Sequence, residues 1–79
     1  MEVYILKEVN LLDSGEKEFY VNVYDTEEKA IQAMEKDINA YIEDNNAYII
    51  DGEKGDWVVE LTDEYHNKYI FKIEIKKVE

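Results

Sequence analysis

An α+β fold, with a single mainly antiparallel sheet of four to five strands and one helix packed on one face, is predicted by three features of the sequence. Over residues 3–9, 19–24, 57–62 and 69–76 a mainly apolar set of residues alternates with a mixed set, the period of two that separates the faces of a strand. Between the second and third of these, apolar residues recur at three- and four-residue steps from Ala30 to Ile42, the period of an amphipathic helix. The 79 residues are about half the usual length of a domain, so residues 1–79 hold one small core in one domain. The expected chain order is β-β-α-(β)-β-β.

The first strand carries Val3, Ile5 and Val9 on one parity and Tyr4, Leu6 and Glu8 on the other. Asn10 to Glu16, with Asp13, Ser14 and Gly15, supplies turn residues, so Phe19, Val21 and Val23 return as the second arm of an antiparallel hairpin. At Asp25-Thr26-Glu27-Glu28 the pattern reads as a capping box, with the Asp25 carboxylate accepting an N-terminal N–H and Glu28 reaching back. Ile31, Met34, Ile38, Tyr41 and Ile42 form the packed stripe of the helix, and Asp44-Asn45-Asn46 ends it, because asparagine tolerates the left-handed cap conformation. Ala47-Tyr48-Ile49-Ile50 reads either as a strand or as a packing segment. The loop from Asp51 to Asp56 precedes a strand with Trp57, Val59 and Leu61 on one face, and a turn at residues 63–68 leads into Phe71, Ile73 and Ile75.

A single helix covers one face of a sheet. The expected inner face is Val3, Ile5, Phe19, Val21, Val23, Trp57, Val59, Leu61, Phe71, Ile73 and Ile75; the expected uncovered face holds Tyr4, Leu6, Tyr20, Tyr24, Val58 and Ile70 among polar residues.

Composition narrows the function. Nine lysines, no arginine and 20 carboxylates leave a formal charge of −11, which argues against direct nucleic-acid binding. The hydrophobic fraction of 46% separates the chain from disordered acidic tails. Zero cysteines exclude disulfides, thiolate zinc sites and thiol nucleophiles. Neither a signal peptide nor a membrane span is legible, so a soluble cytoplasmic protein is expected. The excess of Ile, Lys, Tyr and Asn over Gly, Ala, Arg and Pro matches AT-rich codons, which points to a low-GC bacterium or an element resident in one.

No catalytic residue, metal ligand or cofactor site is expected. His66 is the one histidine, placed in a turn, and the one serine, Ser14, lies in a remote turn, so neither has the partners that nucleophilic catalysis needs. Asp51, Glu53 and Asp56 beside two glycines resemble calcium-ligand spacing but lack the twelve-residue loop ending in glutamate, and an acidic hairpin loop explains them as well. Charge distribution says more. Residues 25–64 carry a net −10, against −3 before and +2 after. Asp25, Glu27, Glu28, Glu35, Asp37, Glu43, Asp44, Asp51, Glu53 and Asp56 are the candidate partner-binding carboxylates, spread as a nucleic-acid backbone spreads its phosphates. Their bland role is to keep a tiny protein soluble. Tyr4, Leu6, Tyr20, Tyr24 and Ile70 are the candidate aromatic and apolar partner site; cross-strand pairing is their bland role.

The run Val21-Asn22-Val23-Tyr24-Asp25-Thr26-Glu27-Glu28-Lys29-Ala30, with the closing Tyr69-Ile70-Phe71-Lys72-Ile73-Glu74, resembles small acidic proteins of low-GC bacteria and their phages, in which a strand also runs into a capped helix. In size, acidity and lack of arginine the chain is similar in physical type to mobile-element inhibitors, including anti-CRISPR and anti-restriction proteins. That resemblance implies a non-enzymatic inhibitor that mimics nucleic acid on a basic surface of a host defence protein, and it assigns no residue a role. The alternative is a structural or regulatory domain that self-associates as a homodimer through its tyrosine-rich sheet face.

Overall fold

The computed structural model describes residues 1–78. In chain order the elements are β1 (Glu2–Leu11), β2 (Lys17–Tyr24), α1 (Glu27–Asn45), β3 (Tyr48–Asp51), β4 (Val58–Thr62) and β5 (Lys68–Lys77). The five strands form one antiparallel sheet in the order β2-β1-β5-β4-β3, and α1 packs on one face of it. The fold is the expected α+β class. The short apolar run after the helix is a strand, and the closing strand takes the centre of the sheet.

β5 earns the centre through composition: Tyr69, Phe71 and Ile73 are all buried. Its neighbours follow from two tight connections. Leu12 N–H donates to the Glu16 carbonyl and Gly15 N–H to that of Leu12, both at 2.9 Å, closing the β1–β2 turn with Gly15 at φ 91°. Between β4 and β5, Asp63 N–H donates to the Asn67 carbonyl and His66 N–H to that of Asp63, each at 3.2 Å, with His66 left-handed at φ 65°.

The 19 residues of α1, at about 1.5 Å each, run about 28 Å. Four inter-strand spacings of about 4.8 Å separate the outer strands by about 19 Å, so the helix is long enough to carry the chain from the β2 edge to the β3 edge. Ala30, Met34 and Ile38, spaced four apart, are fully buried against Leu6, Val59, Leu61, Phe71 and Ile73. Burying Met34, Ile38, Leu61 and Phe71 stabilises the fold by about 1.5–3 kcal/mol each.

The helix is capped differently from expectation. Thr26, not Asp25, is the N-cap: it is extended, and its hydroxyl accepts from Lys29 N–H at 3.2 Å. The Asp25 carboxylate pairs with Lys29 Nζ instead, at 2.9 Å. Glu28 accepts from Gln32 one turn on and does not reach back. The C-terminus follows expectation, with Asn46 left-handed at φ 54° and its N–H returned to the Tyr41 carbonyl.

The faces of β4 and β5 are as expected, whereas those of β1 and β2 are exchanged. Leu6 lies opposite Ile73, Glu8 opposite Phe71 and Asn10 opposite Tyr69, so the even residues of β1 face the helix. Their partners Tyr20, Asn22 and Tyr24 follow onto the same side. Tyr4, Leu6, Tyr20 and Tyr24 therefore do not lie on the uncovered face, and of the expected aromatic and apolar site only Ile70 does. Leu6 is core, and Tyr4 meets Trp57 edge-on with ring centroids 6.1 Å apart. Val3, Ile5, Phe19, Val21 and Val23 face away from the helix.

The cause is a polar network. Glu8 and Asn10 are buried because Tyr41 reaches down from the helix: its hydroxyl donates to Glu8 Oε2 at 2.5 Å, and Asn10 Nδ2 donates to Glu8 at 2.8 Å and to the Tyr41 oxygen at 3.0 Å. A strand with apolar residues on both parities can present either face, and here the buried face holds Glu8 and the Asn10 amide nitrogen in bonds with Tyr41, leaving only Asn10 Oδ1 without a partner among the described residues.

Candidate functional site

The acidic surface is built on α1 and the loop between β3 and β4. With Ala30, Met34 and Ile38 turned to the core, Glu28, Gln32, Lys36, Asn39 and Glu43 stand exposed on the outer side of the helix, and Asp44 is exposed near its end. The loop is drawn against the helix. Trp57 Nε1 donates to Glu27 Oε1 at 3.2 Å, and a Cβ on Gly55 would lie 4.0 Å from Glu35 Oε1. Inside the loop, Asp56 accepts from Glu53 N–H at 3.0 Å and returns its own N–H to the Glu53 carbonyl at 3.0 Å. Glu27, Glu35, Glu53 and Asp56, dispersed in the chain, thus share one corner of the molecule.

Gly52 permits this loop. At φ 78°, its Cβ position would run into the Val58 carbonyl oxygen and come within 3.3 Å of Val59 Cα.

Among the described residues the ion pairs are Lys7–Glu74, Lys72–Glu74 and Lys29–Asp25. Of the ten candidate carboxylates, Asp25 alone is paired with a lysine, and that pair is exposed and weak. Lysine 29 lowers the Asp25 carboxyl below the usual aspartate range through a hydrogen bond and its charge.

Asp51 departs from the group. It lies across from Glu60 on the far edge strand, in the register of the uncovered face, with a bulge between it and Ile49. That face carries Lys7, Lys17, Lys68, Lys72 and Lys76 against Asp51, Glu60 and Glu74. Lys7 and Lys72 sit directly opposite each other and share the Glu74 carboxylate at 2.9 and 3.3 Å, which holds Glu74 below the usual glutamate range. The molecule is therefore polarised, with the lysine excess on the bare sheet face and the carboxylates on the helix side.

Asp37 is set apart from the outer helix carboxylates. It lines an open cleft of about 320 Å³ between α1 and the β1–β2 hairpin, with Glu8, Tyr20, Asn22, Ala40 and Tyr41. Burial pushes its carboxyl above the usual range. Burial also raises the Tyr41 hydroxyl, as does its hydrogen bond to Glu8. Glu8 was absent from the expected site residues; its signal in the sequence is a carboxylate two positions after Leu6 and two before Asn10, on the parity that also carries Tyr4.

A second network anchors the last turn of the helix, next to the first. Asp63, 3% exposed, accepts from Tyr69 Oη at 2.7 Å, from Asn67 Nδ2 and N–H at 3.0 Å each, and from Tyr65 N–H at 2.9 Å. Burial pushes this carboxyl up, and the hydrogen bonds outweigh it, so Asp63 sits below the usual aspartate range. Asn45 Nδ2 donates to Tyr69 Oη at 3.0 Å, and the Tyr69 ring stacks on Tyr41 at 4.1 Å. The carboxylate helix is thus pinned to the sheet through two stacked tyrosines.

Ser14 is not remote from the His66 turn: Asp13 N–H donates to Asn67 Oδ1 at 2.9 Å, bringing the two turns together. The His66 side chain is exposed, and no hydrogen bond orients it among the described residues. No three or more His, Cys, Asp or Glu side chains among those residues are grouped as metal ligands.

These features define a small α+β domain with an acidic helix-and-loop side and a basic, partly apolar sheet face. No family model matches the chain, and no curated protein or solved structure matches it. No helix among the described residues is long and apolar enough to cross a membrane.

Proposed function

We propose that the protein is a stoichiometric, non-enzymatic binding protein whose helix-and-loop carboxylates occupy a basic, nucleic-acid-binding surface of another protein. The partner class is a nucleic-acid-handling defence enzyme of a low-GC bacterium, met in the cytoplasm, and the protein acts as a phage or mobile-element inhibitor of the anti-CRISPR or anti-restriction type. One observation carries this reading: among the described residues the eight candidate carboxylates Glu27, Glu28, Glu35, Asp37, Glu43, Asp44, Glu53 and Asp56 of the helix and loop have no lysine partner, although the chain has nine lysines, five of which stand on the bare sheet face.

Unpaired carboxylates on a rigid scaffold cost the free protein self-repulsion and gain it steered association with a cationic surface. The pinned helix and the loop held by Trp57 keep them in place, so little ordering entropy is lost on binding. Competition tests the reading. A panel of purified restriction and RNA-guided nucleases from low-GC bacteria is titrated with the protein in the presence of labelled duplex DNA. Displacement of DNA by the wild type, lost in the triple variant Glu27→Lys, Glu28→Lys, Glu35→Lys, is the expected result. Binding that leaves DNA in place, or displacement by the triple variant as strong as by the wild type, rejects it.

A further inference from the structure

We propose that β2 is the pairing edge of a symmetric dimer, in which the outer edge of Lys17–Tyr24 adds antiparallel to the same strand of a second copy. The two edges of the sheet differ in kind. β3 has four residues and its register slips between Ile49 and Asp51, two devices that keep an edge from pairing. β2 has eight residues and pairs with β1 without slippage along its whole length. It contains no proline, and its only charges, Lys17 and Glu18, stand at one end. Among the described residues no loop, helix or side chain bonds its outer backbone groups. Along the same strand Phe19, Val21 and Val23 are 68%, 61% and 60% exposed on the face away from the helix. A long, regular, apolar edge of this kind is a template for another strand.

Side-chain complementarity says that the strand is a second β2. A two-fold axis normal to the sheet keeps like faces together. Centred on Val21, it sets Phe19 against Val23 on the bare face and Tyr20 against Asn22 on the helix face. At each end Lys17 meets Asp25 of the other copy. Apolar residues then meet apolar ones, the strand's lysine meets a carboxylate, and no like charges are opposed. Moving the centre to Tyr20 sets Lys17 against Val23, and moving it to Asn22 sets Phe19 against Asp25. The dimer is a ten-stranded sheet with both helices on one side. Pairing at β2 does not depend on the proposed function, although it would double the acidic side.

Sedimentation equilibrium over roughly two decades of concentration, with disulfide trapping, tests the dimer. The chain has no cysteine, so any disulfide joins introduced thiols. On the axis the two Cα atoms at position 21 lie about 4.5–5.5 Å apart, inside disulfide reach, and Val21→Cys is expected to cross-link. Phe19→Cys is four residues, about 13 Å, out of register with its own copy and is expected not to. Val21→Glu faces Lys7 within the protomer and its own copy across the axis, so it keeps the fold and weakens association about tenfold or more. A monomer at every concentration overturns the proposal, as does a dimer that Val21→Glu leaves intact or cross-linking as efficient at Phe19→Cys as at Val21→Cys. Capture of an extended peptide from another protein by a chain that stays monomeric overturns it too.

Discussion

Asp63→Asn removes one charge and no volume, at a residue whose two carboxylate oxygens are fully used. Asparagine keeps one carbonyl oxygen for the N–H groups of Tyr65 and Asn67, at 2.9 and 3.0 Å in the native turn. Its amide group then meets Asn67 Nδ2, a donor against a donor, where Oδ2 now accepts at 3.0 Å. Tyr69 Oη, which donates to Oδ2 at 2.7 Å, must turn to accept, and its own hydrogen loses its acceptor. Loss of a hydrogen bond to a charged group and one unsatisfied buried donor together cost about 3 kcal/mol. Urea unfolding followed by tryptophan fluorescence measures this: with an m-value near 1 kcal/mol/M, the midpoint falls by about 3 M with the slope unchanged.

The pH dependence supplies the sign. Because Asp63 titrates below its unfolded value of about 3.9, its contribution is present above that value and is lost as pH falls through the folded pKa. The gap between wild type and variant therefore closes in acid. A cost below about 0.5 kcal/mol, or a gap that stays constant into strong acid, refutes the role assigned to this carboxylate.

Gly52→Ala drives a methyl group into the Val58 carbonyl and is expected to cost about 2 kcal/mol or more, whereas Gly55→Ala, with nothing nearer than 4.0 Å, costs about 1 kcal/mol of backbone strain; equal thermal shifts contradict this. Thr26→Ala removes the helix cap and costs about 1 kcal/mol, while Asp25→Ala costs less, and the reverse order in chemical denaturation restores Asp25 as the cap. Asp37 titrates above its unfolded value, so its stabilising contribution is present below that value and is lost as pH rises through the folded pKa. Asp37→Asn is therefore more stable than wild type at neutral pH and loses that advantage in acid, and a variant less stable at neutral pH contradicts it.

The legible parts of the fold are those specified by neighbours in sequence. The switch from period two to steps of three and four at Asp25 located the helix to within one residue of its Thr26 cap, and Asn46 located its end, because both signals lie within a few residues of the structure they describe. Which parity of β1 faces the helix was not legible. It depends on pairing with β5, whose partner residues lie 57 to 75 positions away, and on Tyr41 bonding Glu8 and Asn10. The apolar content of the odd residues pointed the other way.

The same division runs through the site. The carboxylates of α1 lie together because one helix face is wet, which periodicity states. That Glu53 and Asp56 join Glu27 and Glu35 depends on Trp57 reaching the helix, a contact that periodicity does not state. Asp51 left the group because a bulge and the pairing with Glu60 set it on the other side of the edge strand.

A backbone amide NMR titration with a lysine-rich peptide, from about 50 to 500 mM salt, tests most directly whether the unpaired carboxylates act together on a cation. Shifts confined to the helix and the Glu53–Asp56 corner, fading as salt rises, are expected. Shifts spread evenly over both faces, or indifferent to salt, contradict the account.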